Sequence, residues 1–261
     1  MKQTLEKIEA IRDYGYELDF TNTFTHAFDV YKKTVFQVGL LYLALSFFVC
    51  TFFVVLLGAI FGFSALAGEL TGYRISDLSP VLIVAYVIGM MIFSGLIAPL
   101  NAGVFKMAFL ADKNEDFSMS NAFDCYNAAY FKPLFLSGAF LSFLGLVISV
   151  GFEMTDLSAL GTILTLVISL LTFLTAPLII FGNLNAAEAI RGSLIVVSKN
   201  ILVILGLVIV AVLFAIVGIF GFCIGLFFTL PLVNAMYYSI YVSAIGIESE
   251  MNPEEDMPFR Y

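Results

Sequence analysis

Residues 200–247 read NILVILGLVIVAVLFAIVGIFGFCIGLFFTLPLVNAMYYSIYVSAIGI, a run of 48 residues without a charged side chain. As one helix this run would be roughly 72 Å long, whereas the hydrocarbon core of a bilayer is about 30 Å thick. The run therefore has to fold back once. We expect the turn at Gly218-Ile219-Phe220-Gly221, because glycine tolerates the backbone angles of a tight helical hairpin.

The whole chain has the composition of a membrane protein. Its residues are 61% hydrophobic and 12% charged, and the mean hydropathy is +1.02, whereas soluble domains are about 45–50% apolar and about 25% charged. Apolar blocks long enough to span a bilayer recur along the 261 residues. The sequence thus predicts an all-α, polytopic six-helix transmembrane bundle. The predicted spans are 38–67, 80–105, 133–152, 157–182, 200–218 and 222–247.

The basic residues predict the orientation of these spans. Lysine and arginine resist translocation and collect in cytoplasmic loops. With six spans, 11 of the 12 basic residues lie on one side of the membrane, and Arg74 lies on the other. We therefore expect a multi-pass protein of the plasma (inner) membrane, with the N-terminus and C-terminus both cytoplasmic. An N-terminal segment, 1–34, and an acidic cytoplasmic tail, 248–261, flank the membrane domain 35–247.

A short pattern recurs before the first and third spans. Ala27-Phe28-Asp29-Val30-Tyr31 and Ala122-Phe123-Asp124-Cys125-Tyr126 are identical at four of five positions. Each lies on an apolar stripe at helical spacing behind a polar start, which predicts an amphipathic interfacial helix. The stretch from Glu188 to Ser193 fills the same place more loosely before span five. The sequence thus predicts an internal repeat of interfacial helix, straight span and proline-bearing span, used three times.

Each return span carries a Pro-Leu pair, and an asparagine follows each pair. These candidate cavity or kink positions are Pro99, Asn101, Pro177, Asn183, Pro231 and Asn234. Proline frees a main-chain carbonyl, which needs another partner in lipid. The prolines could mark a shared packing centre, or they could be bends that the bundle tolerates. The asparagines could line a polar cavity for a headgroup or cross-link the helices, and the same alternatives hold for Ser94, Thr172, Thr175 and Thr229.

A further pattern consists of Pro99-Leu100-Asn101-Ala102-Gly103, Lys113-Asn114-Glu115-Asp116-Phe117 and Ala122-Phe123. Together with the stretch before span five, which ends in Lys199-Asn200, this pattern resembles that of a group of uncharacterised bacterial six-span integral membrane proteins. The group is akin to the membrane domain found beside some glycerophosphodiester phosphodiesterases. The resemblance covers most of residues 20–247 and implies the six-span architecture. It implies no catalytic residues, because the group has no agreed function.

The sequence points to no catalytic, cofactor or metal site. His26 is the one histidine, so any Ser-His-Asp or Cys-His-Asn site would have to use it, and no GxSxG motif is present. We interpret it as an interfacial polar residue. The three cysteines show no metal-ligand spacing, and the net charge of −8 is unfavourable for binding nucleic acid. No charged residue lies inside an apolar core, which argues against a proton-coupled transporter.

These features favour an integral membrane protein that is not an enzyme and serves as a structural or accessory component of a bacterial envelope complex. The alternative is a transporter or lipid-handling protein with a cavity between the proline-kinked spans. The expected partners are the lipid bilayer and other membrane proteins. The acidic tail is either solvated or a docking peptide.

Overall fold

The computed structural model describes residues 1–61, 79–155, 157–220 and 224–247. Within these ranges the chain is helical almost throughout and forms no strand. The elements in chain order are α1 (Lys2–Tyr14), α2 (Phe20–Phe61), α3 (Pro80–Asp112), a 3₁₀ helix (Met119–Tyr126), α4 (Ala128–Glu153), α5 (Ser158–Thr172), α6 (Thr175–Ile180), α7 (Ala186–Lys199), α8 (Ile201–Ile219) and α9 (Ile224–Ile245).

Six helical segments of the described chain are long and apolar enough to cross a membrane. They are α2, α3, α4, the pair α5–α6, α8 and α9. Large apolar side chains such as Phe47, Leu166 and Leu202 are exposed on these helices, as expected where the surroundings are lipid tails and not water. The prediction of an all-α polytopic bundle with six spans is confirmed.

The first predicted interfacial helix is not a separate element. α2 runs from Phe20 to Phe61 without a break, so the amphipathic segment and the first span form one helix of 42 residues. No proline lies in this range, and a helix continues until a breaker or a cap stops it. Gly39 lies at a close approach of α2 to α9, since a Cβ there would stand 2.8 Å from the Phe227 carbonyl oxygen.

The second predicted interfacial helix is a 3₁₀ helix. Ser118 and Asn121 form a capping box at its start, and Asn121 Nδ2 donates to Asp124 Oδ2 at 3.1 Å. Short polar side chains of this kind compete with α-helical hydrogen bonds, which favours the tighter turn. The third interfacial element, α7, is an α-helix that begins with a capping box between Asn185 and Glu188.

The later spans differ in detail from their predicted bounds. α4 begins at Ala128, so Pro133 lies inside the helix and not at its start. The fourth span has a break between α5 and α6, just before Pro177. The predicted end of the first span, the loop with Arg74, the turn residue Gly221 and the acidic tail 248–261 lie outside the described residues.

The interfacial elements collect at one end of the bundle. We call this end the basic face and define it by α1, the 3₁₀ helix and α7. Lys7 of α1 donates from Nζ to the Ile245 carbonyl oxygen at the end of α9, at 3.1 Å, and Lys106 of α3 pairs with Asp124 at 2.6 Å. The first helix and the last therefore meet at the same face, as an even number of crossings requires.

α3 and the 3₁₀ helix touch main chain to main chain at Gly103. A Cβ at this position would overlap the Ala122 carbonyl group, and main-chain atoms cannot swing aside. We expect Gly103→Ala to lower the free energy of unfolding by about 1–3 kcal/mol, as other overpacked contacts do. The measurement is thermal unfolding of the purified protein in detergent.

Gly89→Ala is the matched control, because Gly89 lies in the same helix with open space around its Cβ position. This change should leave the unfolding midpoint unchanged or raise it, since alanine favours helix over glycine. Equal losses in the two variants would contradict the close contact at Gly103.

Candidate functional site

The prolines inside α3 and α9 each have a tyrosine hydroxyl beside the turn that they disturb. Tyr126 of the 3₁₀ helix donates to the Leu96 carbonyl oxygen at 2.7 Å, three residues before the proline of α3. Tyr31 of α2 donates to the Phe228 carbonyl oxygen at 3.1 Å, three residues before the proline of α9. Proline weakens helical hydrogen bonding in this turn, and lipid offers no replacement. Each tyrosine adds a hydrogen bond within that turn, at the carbonyl next to the one that proline leaves without its N–H partner.

Pro177 acts differently, because the helix breaks before it. The break places Pro177 in the first turn of α6, where a missing N–H is tolerated. The buried hydroxyl of Ser193 on α7 bridges the break. It accepts from the Leu174 N–H at 3.2 Å and donates to the Leu171 carbonyl oxygen at 2.8 Å. One side chain therefore satisfies a donor and an acceptor that the break exposes.

We expect Ser193→Ala to lower the free energy of unfolding by about 1–3 kcal/mol, because it leaves buried main-chain groups unsatisfied. Unfolding in detergent, followed by circular dichroism, measures the loss. Ser198→Ala is the control. Ser198 is exposed on the same helix and bonds only the nearby Ile195 carbonyl, so its loss should stay within about 0.5 kcal/mol. Equal losses in Ser193→Ala and Ser198→Ala would show that the bridge contributes nothing to the free energy of unfolding.

The three proline-bearing spans meet in an aromatic cluster. The ring centroids of Phe173 and Tyr237 of α9 are 4.4 Å apart. Phe181, just after α6, lies 5.6 Å from Phe109 of α3 and 6.1 Å from Tyr238 of α9. Tilted and edge-on rings at these distances attract one another beyond the area that they bury. The prolines themselves are buried, so the centre of these spans is packed by rings.

The three candidate asparagines lie in different places. Asn234 donates to the Tyr42 hydroxyl of α2 at 2.8 Å, which links two spans. Asn183, with a φ of 50°, lines a cavity of about 590 Å³ at the basic face, beside Lys132. Asn101 is exposed and lines a larger cleft. The structure does not bring the three side chains into one site.

The larger cleft has a volume of about 680 Å³ and lies between α3, α4 and the pair α5–α6. Much of its wall is apolar, but each of these helices contributes polar side chains. They are Ser94, Asn101, Ser137, Ser142, Ser149, Thr165, Ser169, Thr172 and Thr175. None of the described residues that line the cleft is charged. Within the membrane-spanning part, the cleft is therefore uncharged, with hydroxyl and amide groups set in a mainly apolar wall.

Most of these hydroxyls donate to main-chain carbonyls. Ser94 donates to Gly138 at 3.2 Å and Ser142 donates to Met90 at 3.5 Å, and both bonds tie α3 to α4. The hydroxyls that donate within their own span are those of Ser137, Thr165, Thr172 and Thr175. A hydroxyl oxygen that donates its hydrogen can still accept one. These residues therefore present acceptors to the cleft.

Three other polar side chains in the cleft are exposed and unpaired. They are Asn101 on α3, Ser149 on α4 and Ser169 on α5, and none has a side-chain hydrogen bond within the described part of the chain. A polar group without a partner is costly in hydrocarbon. The cleft therefore suits water or a polar ligand better than an acyl chain.

A second polar cluster lies at the basic face, and sequence reasoning did not find it. Nε2 of His26 lies 2.9 Å from Asp112 Oδ1 at the end of α3, and the Tyr238 hydroxyl donates to Asp112 Oδ2 at 2.9 Å. The cluster joins α2, α3 and α9 through residues far apart in sequence, which no local pattern signals. Among the described residues, no three His, Cys, Asp or Glu side chains come together in a way that could hold a metal ion.

Comparisons with known protein families, with curated proteins and with solved structures found no significant match.

A thiol introduced into the cleft would report whether water enters it. We expect Ser169→Cys to react with a small water-soluble maleimide near neutral pH. Cys50 and Cys223 are first replaced by alanine. Cys125 can stay, because burial raises the pKa of its thiol to about 12 and keeps it in the unreactive protonated form. Leu166→Cys, on the same helix outside the cleft and 64% exposed, should stay unlabelled. Equal labelling would contradict a wet cleft.

Proposed function

We propose that the protein is a non-enzymatic transporter or lipid-handling protein that takes an uncharged polar ligand into the cleft between α3, α4 and α5. Ser169 carries the proposal. It is the central residue of the span Ser158–Ile180, it is exposed in the cleft, and its hydroxyl bonds nothing in the described chain. At that depth an unpaired hydroxyl costs free energy unless a polar molecule reaches it.

The volume and the lining of the cleft also support a role in binding a small polar ligand. A volume of about 680 Å³ lies within the range of small-molecule sites, and such sites are mostly apolar with a few placed polar groups. The two hydrogen bonds from Ser94 and Ser142 hold α3 against α4, so these two walls are tied together without any ligand.

We further propose that the protein lies in the inner membrane of a bacterium with the basic face in the cytoplasm. The support is the set of lysines at that face, since basic residues collect on the cytoplasmic side. Because α1 and the end of α9 meet there through Lys7 and Ile245, this orientation makes the start of the chain and the end of the last span cytoplasmic.

The hydroxyl contacts beside the prolines support a three-fold internal repeat closed into a ring. Tyr31, Tyr126 and Ser193 each stand four residues after a fully buried alanine of an interfacial element. Tyr31 of the first unit contacts the proline-bearing span of the third, Tyr126 of the second contacts that of the first, and Ser193 of the third contacts that of the second. Each unit thus satisfies its neighbour.

Mass spectrometry of the protein purified in mild detergent tests the proposed function. We expect one uncharged, hydroxyl-bearing molecule to be enriched over the bulk membrane lipids. Ser169→Leu should weaken its retention about tenfold, the effect of about 1.4 kcal/mol of binding free energy. Ser46→Leu removes a hydroxyl from α2, where it bonds the Leu43 carbonyl, and should change nothing.

A different outcome would favour the other role. If no small molecule is enriched and a membrane protein is recovered in fixed stoichiometry, the chain is an accessory component of an envelope complex. That role also fits the resemblance to bacterial six-span proteins, and it would leave the cleft empty.

A further inference from the structure

We infer that the cleft is a route across the membrane for an uncharged polyol group, either a lipid headgroup or a free solute. The inference rests on the proposed function and adds the class of ligand and its path. It comes from the depths at which the nine polar residues of the cleft lie, which the contacts between α3, α4 and α5 define. We call these nine residues the polar ladder.

Two hydrogen bonds set the register of α3 against α4. Ser94 reaches Gly138 and Ser142 reaches Met90, which is the register of two antiparallel helices. When this register is extended along α3, it places Asn101 level with the first turn of α4. Ser149 lies in the last two turns of α4, which ends at Glu153. Asn101 and Ser149 are therefore about 18 residues, or about 27 Å, apart along α4, against a hydrocarbon core of about 30 Å.

The contact between α4 and α5 sets the depth of the remaining residues. A Cβ on Gly145 would lie 3.5 Å from Thr165 Cγ2, and one on Gly161 would lie 2.8 Å from Phe152 Cβ. The two helices run antiparallel, so Ser169 falls level with Ser142. This level is close to the middle of the span. The unpaired side chains of Asn101, Ser169 and Ser149 thus mark one end, the middle and the other end of the cleft.

The other polar residues fill the intervals. Projected on α4, successive levels are separated by no more than about four residues, or about 6 Å. From the basic face outward the order is Asn101, Thr175, Ser137, Ser94 with Thr172, Ser142 with Ser169, Thr165 and Ser149. The polar groups that bind one small ligand lie within the length of that ligand, whereas these are spread over about 27 Å of helix. Groups at every turn suit a ligand that changes depth, because it can bond the next level before it leaves the last.

The chemistry of the polar ladder selects the ligand. Six of its hydroxyls donate to carbonyls, so they offer a ligand mainly acceptor oxygens, and the ligand has to bring its own donors. No described lining residue carries a charge, so a charged group would lose its hydration without gaining a counter-ion. A glycerol or sugar group has several hydroxyl donors and no charge, and is large enough to touch two adjacent levels.

Hydrogen bonding within and between helices explains part of the ladder, since hydroxyls in membrane spans commonly have that role. It accounts for Ser94 and Ser142. It does not account for Asn101, Ser149 and Ser169, which bond no part of the described chain and lie on three different helices that face one cleft.

The test uses the full chain reconstituted in vesicles of phosphatidylcholine and phosphatidylglycerol. One arm follows a glucosyl diacylglycerol with a fluorescent acyl chain, and a second follows phosphatidylglycerol with the same label. Dithionite bleaches outer-leaflet label only, so further bleaching reports movement between leaflets. A third arm follows glycerol entry by stopped-flow light scattering.

We expect the protein to speed the glucosyl lipid or glycerol over protein-free vesicles, and to leave the anionic lipid unchanged. Whichever probe responds identifies the source of the polyol. Ser169→Leu should lower that rate about tenfold, which corresponds to about 1.36 kcal/mol of barrier. Ser169→Thr keeps the hydroxyl and should retain the rate. Ser46→Leu, which removes a hydroxyl of α2 outside the cleft, should match the unaltered protein.

Two results would overturn the route. One is equal movement of the anionic and the uncharged lipid, which rules out selection by the uncharged ladder. The other is a protein that retains a bound uncharged molecule after purification but speeds no probe, which leaves the proposed binding function intact and removes the path. If no molecule is retained and no probe moves, both proposals fail.

Discussion

A main-chain carbonyl that proline disturbs inside a membrane has to accept a hydrogen bond from the protein, because hydrocarbon cannot donate one. In this chain hydroxyls on other elements donate to carbonyls in or beside the disturbed turns: Tyr126 in α3, Tyr31 in α9 and Ser193 in the broken fourth span. Two of these donors, Tyr126 in the 3₁₀ helix and Ser193 in α7, lie in elements of the basic face. The same bonds that satisfy the spans therefore hold the interfacial segments against them.

The break bridged by Ser193 lies beside the cleft. Thr172 and Thr175 flank the break, both donate to main-chain carbonyls, and both line the cleft. The polar space between α3, α4 and α5 thus lies beside the place where proline interrupts the fourth span.

The sequence could predict part of the candidate site. Asn101, Ser94, Thr172 and Thr175 stand out as polar residues inside apolar runs, and all four line the cleft. Thr165, Ser169 and Thr172 follow helical spacing on one face of α5, a signal that is present in the sequence and that periodicity analysis would detect. Asn183 and Asn234 have the same appearance in the sequence but lie elsewhere, because the faces of a helix that meet depend on its neighbours.

The sequence by itself determined the class and the number of spans, because a charge-free run of the right length has one stable environment and one stable backbone form there. It also determined where the basic residues and the prolines lie along the chain. Only the tertiary structure decided that the 3₁₀ helix packs against the main chain of α3 at Gly103 and that Ser193 bridges the break in the fourth span. The tertiary structure also decided which hydroxyls face one another, because that depends on the packing of helices that are far apart in the chain.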